Sequence, residues 1–286
     1  MRDLHRTQET GFDCWPCRKG EDVMESELSL STLQAVITSR FPEHLGARFT
    51  LLTAGWDCVA VDVDDRLIFK FPRSEIARQA LTSEASLLAV VRPRLTMPVP
   101  ELTLFREPSQ FSCHGKLPGE HLETPQYHRL PEPARQQLAA DMALFYAQLH
   151  SLPAGVMEAA GAKPIGALLP PEEMLRRVWP VLPEELRAFA EQTVAAWQRL
   201  PPDPHGTIYG FFDGHGWNMA FDHAGQRLSG IYDFGDSGFG DLHQEFIYSN
   251  FIARDLTARI VAEYEALSGR ALDRDRIELL SGVLRL

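Results

Sequence analysis

The run Asp213-Gly-His-Gly-Trp-Asn218 places an Asp and an Asn in one tight loop, and Asp233-Phe234-Gly235 begins fifteen residues after Asn218. Two apolar, strand-like runs separate the pieces: Met219-Ala220-Phe221, then Leu228 to Tyr232. A short hairpin would therefore return the second Asp beside the first loop. Such a set suits phosphoryl transfer. One carboxylate orients a substrate hydroxyl, while the Asn and the second carboxylate hold Mg²⁺ against nucleotide phosphates. Either piece alone is weak, because Asp and Asn favour turns for structural reasons. In order, at this spacing and with matching elements upstream, the combination is informative. No Walker A sequence occurs, which excludes a P-loop fold.

The elements that must position these residues fall into two halves. Residues 1–27 read as a flexible tail, rich in charge and without periodicity. Its Cys14-Trp-Pro-Cys17 lacks a strand setting for redox chemistry and a second ligand pair for zinc, so no role is expected for it. A helix is expected from Ser29 to about Phe41. Alternating runs at Phe49–Thr53 and Cys58–Val63, and a further run at Arg66–Phe71, predict strands joined by turns at Ala54-Gly-Trp-Asp57 and Asp64-Asp65. Residues 75–91 read as a helix with Ile76, Leu81, Leu87, Leu88 and Val91 on one face, and strands follow near 102–105 and 110–114. Beyond Pro131 the pattern turns helical: 132–150, 171–178 and 183–199, then 242–252, 255–268 and 273–286 flanking the loop and hairpin.

Bulk properties narrow the class. The chain has 286 residues, 44% of them hydrophobic and 23% charged, as in a globular protein with a real core. No apolar run reaches membrane-span length and no signal peptide is visible, so a cytoplasmic protein is expected. The net charge of −11 argues against nucleic acid or an anionic membrane as partner and accommodates a polycationic small molecule. Only four of the 28 basic residues are lysines, which makes Lys70, inside the apolar run Leu67-Ile-Phe-Lys-Phe, conspicuous. The alternative for Lys70 is an edge-strand lysine facing solvent.

At Phe211-Phe-Asp-Gly-His-Gly-Trp-Asn218 and Ile231-Tyr-Asp-Phe-Gly-Asp236 the chain resembles the aminoglycoside phosphotransferase family, small-molecule kinases whose pattern is His-Gly-Asp-x-x-x-x-Asn followed by Ile-Asp-Phe-Gly-Asp. The resemblance covers roughly residues 35–286. It implies an α+β, two-lobed, protein-kinase-like fold, with a β-rich nucleotide-binding N-lobe at 28–117 and a mostly helical C-lobe at 118–286. It implies Asp213 as the catalytic residue and Asn218 and Asp233 as Mg²⁺ ligands. Lys70 would reach the α- and β-phosphates, held by Glu84 in preference to Glu75. Main-chain groups of Gly115 and Leu117, in a hinge at His114–Glu120, would pair with the base of ATP or GTP. The acceptor would be a hydroxyl of a small molecule, with an aminoglycoside, and so antibiotic resistance, as first choice. A sugar, amino alcohol or macrolide is the alternative, as is a nucleotide-binding pseudokinase. The carboxylates after Asp233 (Asp236, Asp241, Glu245, Asp255, Glu263, Glu265) would furnish an acceptor wall, the alternative for any one of them being a solvated helix face, and Asp236 and Asp241 suit loop structuring better. Two departures stand out: Phe211 replaces the family His, and Tyr232 is an extra residue before Asp233. His215 reads as a residue that packs or lines the substrate side.

Overall fold

The computed structural model describes residues 28–52, 55, 57–107 and 109–286. Residues 1–27, with Cys14 and Cys17, lie outside the described residues, as do Thr53, Ala54 and Trp56 of the first turn.

Ser29 opens the upper lobe by accepting a hydrogen bond from the Thr32 N–H, which caps α1 (Leu30–Arg40). Five antiparallel strands follow: β1 (Phe49–Leu52), β2 (Cys58–Val63), β3 (Leu67–Pro72), β4 (Thr103–Phe105) and β5 (Phe111–Gly115), in the order β1-β2-β3-β5-β4. The β2–β3 hairpin turns on Asp64 and Asp65, both left-handed at φ 56° and 59°, with the Arg66 N–H donating to the Val63 carbonyl at 3.1 Å. Turns of that hand match the twist of the flanking strands, and Asp tolerates them at low cost.

Period-2 alternation gives this sheet two different faces. Val59, Val61, Val63, Phe69, Phe71 and Phe111 join Leu33 and Ile37 of α1 in a closed apolar cluster. The opposite face carries Ala60, Asp62, Ile68, Lys70, Ser112 and His114, which the register sets side by side. α2 (Glu75–Val91), capped by Ser74 on the Ala77 N–H, passes beneath that second face.

The lower lobe comprises α3 (Thr124–Arg129), α4 (Glu132–His150), α5 (Ala154–Ala159), α6 (Pro171–Val178), α7 (Glu184–Gln198), β6 (Thr207–Gly210), β7 (Met219–Asp222), β8 (Arg227–Ile231), β9 (Gly238–Asp241), α8 (Arg254–Ser268) and α9 (Arg274–Leu284). α4 runs through its core against α8, burying Leu138, Met142, Phe145, Tyr146 and Leu149. The segment after β5 pairs with the hairpin: Glu120 and Phe221 exchange backbone hydrogen bonds of 2.9 and 2.8 Å.

Several elements differ from expectation. The helix expected near 242–252 is two 3₁₀ segments, Leu242–Phe246 and Tyr248–Phe251. The short helices α3 and α5 and the β6–β9 pair were not anticipated. β9 reads Gly-Phe-Gly-Asp, whose glycines disguise a strand, yet it pairs with β6 from Thr207↔Asp241 to Gly210↔Gly238. That pair brackets both functional loops, because one begins where β6 ends and the other stops where β9 begins.

Candidate active site

The loop after β6 is suspended from below by a buried carboxylate. Glu245, 0% exposed, accepts the Phe211 N–H at 2.8 Å through Oε2 and the Phe212 N–H at 2.9 Å through Oε1. His150 Nε2 lies 3.2 Å from the same carboxylate, and its Nδ1 is 2.9 Å from the Tyr264 hydroxyl. Phe212 takes up left-handed strain at φ 54°. Phe211 is fully buried, its ring centroid 5.6 Å from that of Phe145 and 4.9 Å from that of Phe234. At the position of the family His, the loop thus rests on aromatic packing plus Glu245.

Above that floor the loop closes on Asp213. Asn218 Nδ2 donates to Asp213 Oδ2 at 2.6 Å and to its carbonyl at 3.1 Å. His215 Nε2 lies 3.0 Å from Asp213 Oδ1, so His215 engages Asp213 directly rather than merely packing. One oxygen of this carboxylate is hydrogen-bonded and the other lies beside the imidazole. The two glycines permit close approach: a Cβ on Gly214 would sit 2.0 Å from the Tyr146 hydroxyl, and one on Gly216 1.8 Å from the Leu122 carbonyl.

The second loop brings the lobes together. Lys70 Nζ lies 3.2 Å from Glu84 Oε1 and 3.0 Å from Asp233 Oδ1. β3 is an interior strand and the Lys70 side chain is 13% exposed, so it is no edge-strand lysine. Glu84 also accepts the Phe234 N–H at 3.2 Å, whereas Glu75 pairs with Arg78 at the surface. Burial opposes the charge of Lys70, but Asp233 and Glu84 outweigh it and hold the ammonium protonated. Lys70 in turn holds the Asp233 carboxyl below its usual range. Desolvation in the cleft, then the charges of Asp213 and Asp233, push Asp236 up to about 7.

A model of the phosphotransferase enzyme family matches residues 48–280. The chain belongs to that family. Solved structures show the same fold. A mutant of aminoglycoside 2'-phosphotransferase IIIa in complex with GDP superimposes with TM-score 0.76 at 21% identity, over 90% of this chain and 87% of that one. A macrolide 2'-phosphotransferase of type I gives 0.63 at 18% identity over 90% and 89%. A streptomycin–ATP ternary complex of an aminoglycoside phosphotransferase gives 0.56 at 20% identity over 81% and 82%. No curated protein sequence matches the chain. The α+β, two-lobed, kinase-like architecture expected from the sequence is therefore the fold of this phosphotransferase.

Within it, the carboxylates expected to wall the acceptor pocket are mostly committed elsewhere. Glu245 is interior and holds the Asp213 loop. Asp255 accepts from the Tyr127 hydroxyl at 2.5 Å and from Arg259 at 2.9 Å. Glu263 accepts from Gln136 at 2.6 Å, and Glu265 pairs with Arg274 at 2.6 Å. Asp236 is the member of the set that stands among Asp213 and Asp233. The run of acids after Asp241 marked internal pairing, which composition does not distinguish from a cation-binding wall.

The segment joining the lobes starts at the exposed Gly115 and includes the half-buried Leu117. The Lys116 N–H donates to the Arg66 carbonyl at 2.8 Å, and its ammonium meets Asp62 at 2.6 Å and also Asp65. These contacts pin the linker to the β2–β3 turn, a role for Lys116 that the sequence did not announce.

The donor set suits Mg²⁺. Asn218 spends its amide nitrogen on Asp213, leaving its amide oxygen as the free ligand atom. Asp233 gives one oxygen to Lys70 while its side chain remains 52% exposed. Desolvation raises Asp236 most, and the part added by the charges of Asp213 and Asp233 is what a divalent cation would relieve. Among the described residues, no three His, Cys, Asp or Glu side chains converge as a metal cluster. Also among them, no helix is long and apolar enough to cross a membrane.

Proposed function

We propose that this phosphotransferase moves the γ-phosphoryl group of a nucleoside triphosphate to a hydroxyl of a small molecule, with Mg²⁺ bound between protein and nucleotide. The observation that carries the reading is the Lys70 ammonium, set between Glu84 and Asp233 in the cleft that also holds the tethered Asp213. Asp213, anchored through one oxygen by Asn218, orients the acceptor hydroxyl and takes its proton as the bond to phosphorus forms. Lys70 holds the α- and β-phosphates as a point charge, and Glu84 fixes where that charge sits. Main-chain groups of Gly115 and Leu117 face the base. Asn218 and Asp233 hold the Mg²⁺, which when bound neutralises developing charge on the phosphates. Retention of Lys70, Asp213, Asn218 and Asp233 disfavours a pseudokinase.

An aminoglycoside is the first acceptor to try, since a net charge of −11 tolerates a polycation. A macrolide is the second reading. The internal pairing of Asp255, Glu263 and Glu265 favours it, because those carboxylates lend little to cation recognition. Nucleotide consumption measured against an aminoglycoside, a macrolide, a sugar and an amino alcohol decides among them. Turnover with none of these would sink the small-molecule kinase reading.

Two results are expected from the nucleotide site alone. Lys70→Ala weakens nucleotide binding by roughly tenfold to a hundredfold, the usual range for a charge-assisted contact, and Glu84→Ala by less. Titration calorimetry checks both, and an unchanged affinity in Lys70→Ala refutes the phosphate role. Mg²⁺ binds strongly only when nucleotide is present, because one or two protein ligands leave most of its octahedron to phosphate and water. Tight Mg²⁺ binding to nucleotide-free protein would contradict the assignment of Asn218 and Asp233.

A further inference from the structure

We propose that the His114 imidazole reads the exocyclic group of the nucleotide base and makes this phosphotransferase prefer ATP to GTP. The proposal rests on the nucleotide reading above and names the nucleotide.

The β3–β5 register sets His114 opposite Ile68 and Ser112 opposite Lys70. Directly opposed side chains share a face of the sheet, and alternate residues return to it. His114 therefore faces the cleft on the same side as Lys70, one strand over and one pleat along. It is 7% exposed. It immediately precedes Gly115–Leu117, the main chain that meets the base in the reading above, so its ring borders the deep end of the base site.

The structure also fixes which ring nitrogen does what. His114 Nδ1 lies 2.9 Å from the Gly115 carbonyl oxygen, the one hydrogen bond this ring makes among the described residues. A carbonyl oxygen only accepts, so Nδ1 carries the proton and donates. In the neutral ring Nε2 is then a lone-pair acceptor. Burial keeps the ring neutral, pushing it down to about 4; the Gly115 carbonyl works against this and the Lys70 charge adds to it.

An acceptor at that place discriminates between purines by elementary chemistry. Adenine presents an amino group at position 6, which donates. Guanine presents a carbonyl oxygen there, which would face the Nε2 lone pair and leave two buried acceptors without a proton between them. A site whose polar groups go unpaired with the wrong ligand rejects it strongly.

The test needs no acceptor. Titrate the full chain with Mg·ATP and with Mg·GTP, for the wild type, His114→Phe and His114→Gln. Phe keeps the ring and loses the lone pair, and Gln carries an amide that can donate or accept. The wild type should bind ATP at least roughly tenfold tighter than GTP. Either variant should bring the two affinities within about threefold, chiefly by weakening ATP or by relieving GTP. Thermal midpoints establish that each variant is folded, and His114→Gln serves alone if Phe disrupts the sheet. Equal affinities in the wild type, a preference for GTP, or a ratio unchanged in a folded variant would overturn the role of His114 and leave the nucleotide reading intact. Failure of both nucleotides to bind would instead remove the nucleotide reading itself.

Discussion

Asp213→Asn should lower phosphoryl transfer by about a hundredfold to ten-thousandfold, the range for losing a positioned general base. Nucleotide affinity should stay within a few-fold, because Lys70, Asp233 and the linker are untouched. The change is nearly isosteric, yet it inverts the local chemistry. Asp213 accepts from Asn218 Nδ2 at 2.6 Å and meets His215 Nε2 at 3.0 Å. An amide at position 213 would turn an NH₂ toward one of those neighbours and keep only an amide oxygen, far too weak a base to take the acceptor proton. Single-turnover transfer and nucleotide titration separate the two effects. Near-normal transfer would remove Asp213 from its role.

The second large effect concerns stability. Glu245→Ala should cost about 3–5 kcal/mol, the penalty for breaking a buried charge network by deleting one member. The Phe211 and Phe212 N–H groups would lose their acceptor in a site closed to water, and His150 would lose its carboxylate. The thermal midpoint should fall by on the order of ten degrees. Activity should fall as well, since the strained Phe212 adjoins Asp213. Glu245→Gln should cost less, because one amide oxygen can still accept. A midpoint for Glu245→Ala within about two degrees of wild type would mean that the loop is held by aromatic packing alone.

That contrast shows where sequence reading reaches its limit. The period-3.6 stretch at 75–91, the alternating run at 58–63 and the run at 66–71 give α2, β2 and β3 to within a residue, because each buries one face of a regular element. Asp213, Asn218 and Asp233 stand out by residue type and spacing and Lys70 by its apolar setting, whereas Glu84 follows only from the family resemblance. Glu245 could not. It sits in a 3₁₀ segment, where no period separates an inward carboxylate from an outward one. The faint signal is its setting, Leu242-His-Gln-Glu-Phe-Ile247, unusually apolar for a surface acid. The role of His215 was hidden for a similar reason: a turn of three residues aims a ring by its own dihedrals, not by a pattern. The pairings of Asp255, Glu263 and Glu265 involve partners such as Tyr127 and Gln136 that only the tertiary fold brings near.

The contact between Lys70 and Asp233 spans 163 residues of chain, whereas the turn that shapes the Lys70 strand closes within four. Hairpins form in microseconds, and long-range pairings come later because the entropy of closing a long loop must be met first. The upper sheet and the pairing of Lys70 with Glu84 therefore take shape well before Asp233 reaches the lysine. During refolding, backbone signals should recover ahead of nucleotide affinity, leaving an interval in which the molecule is largely ordered and still blind to its ligand.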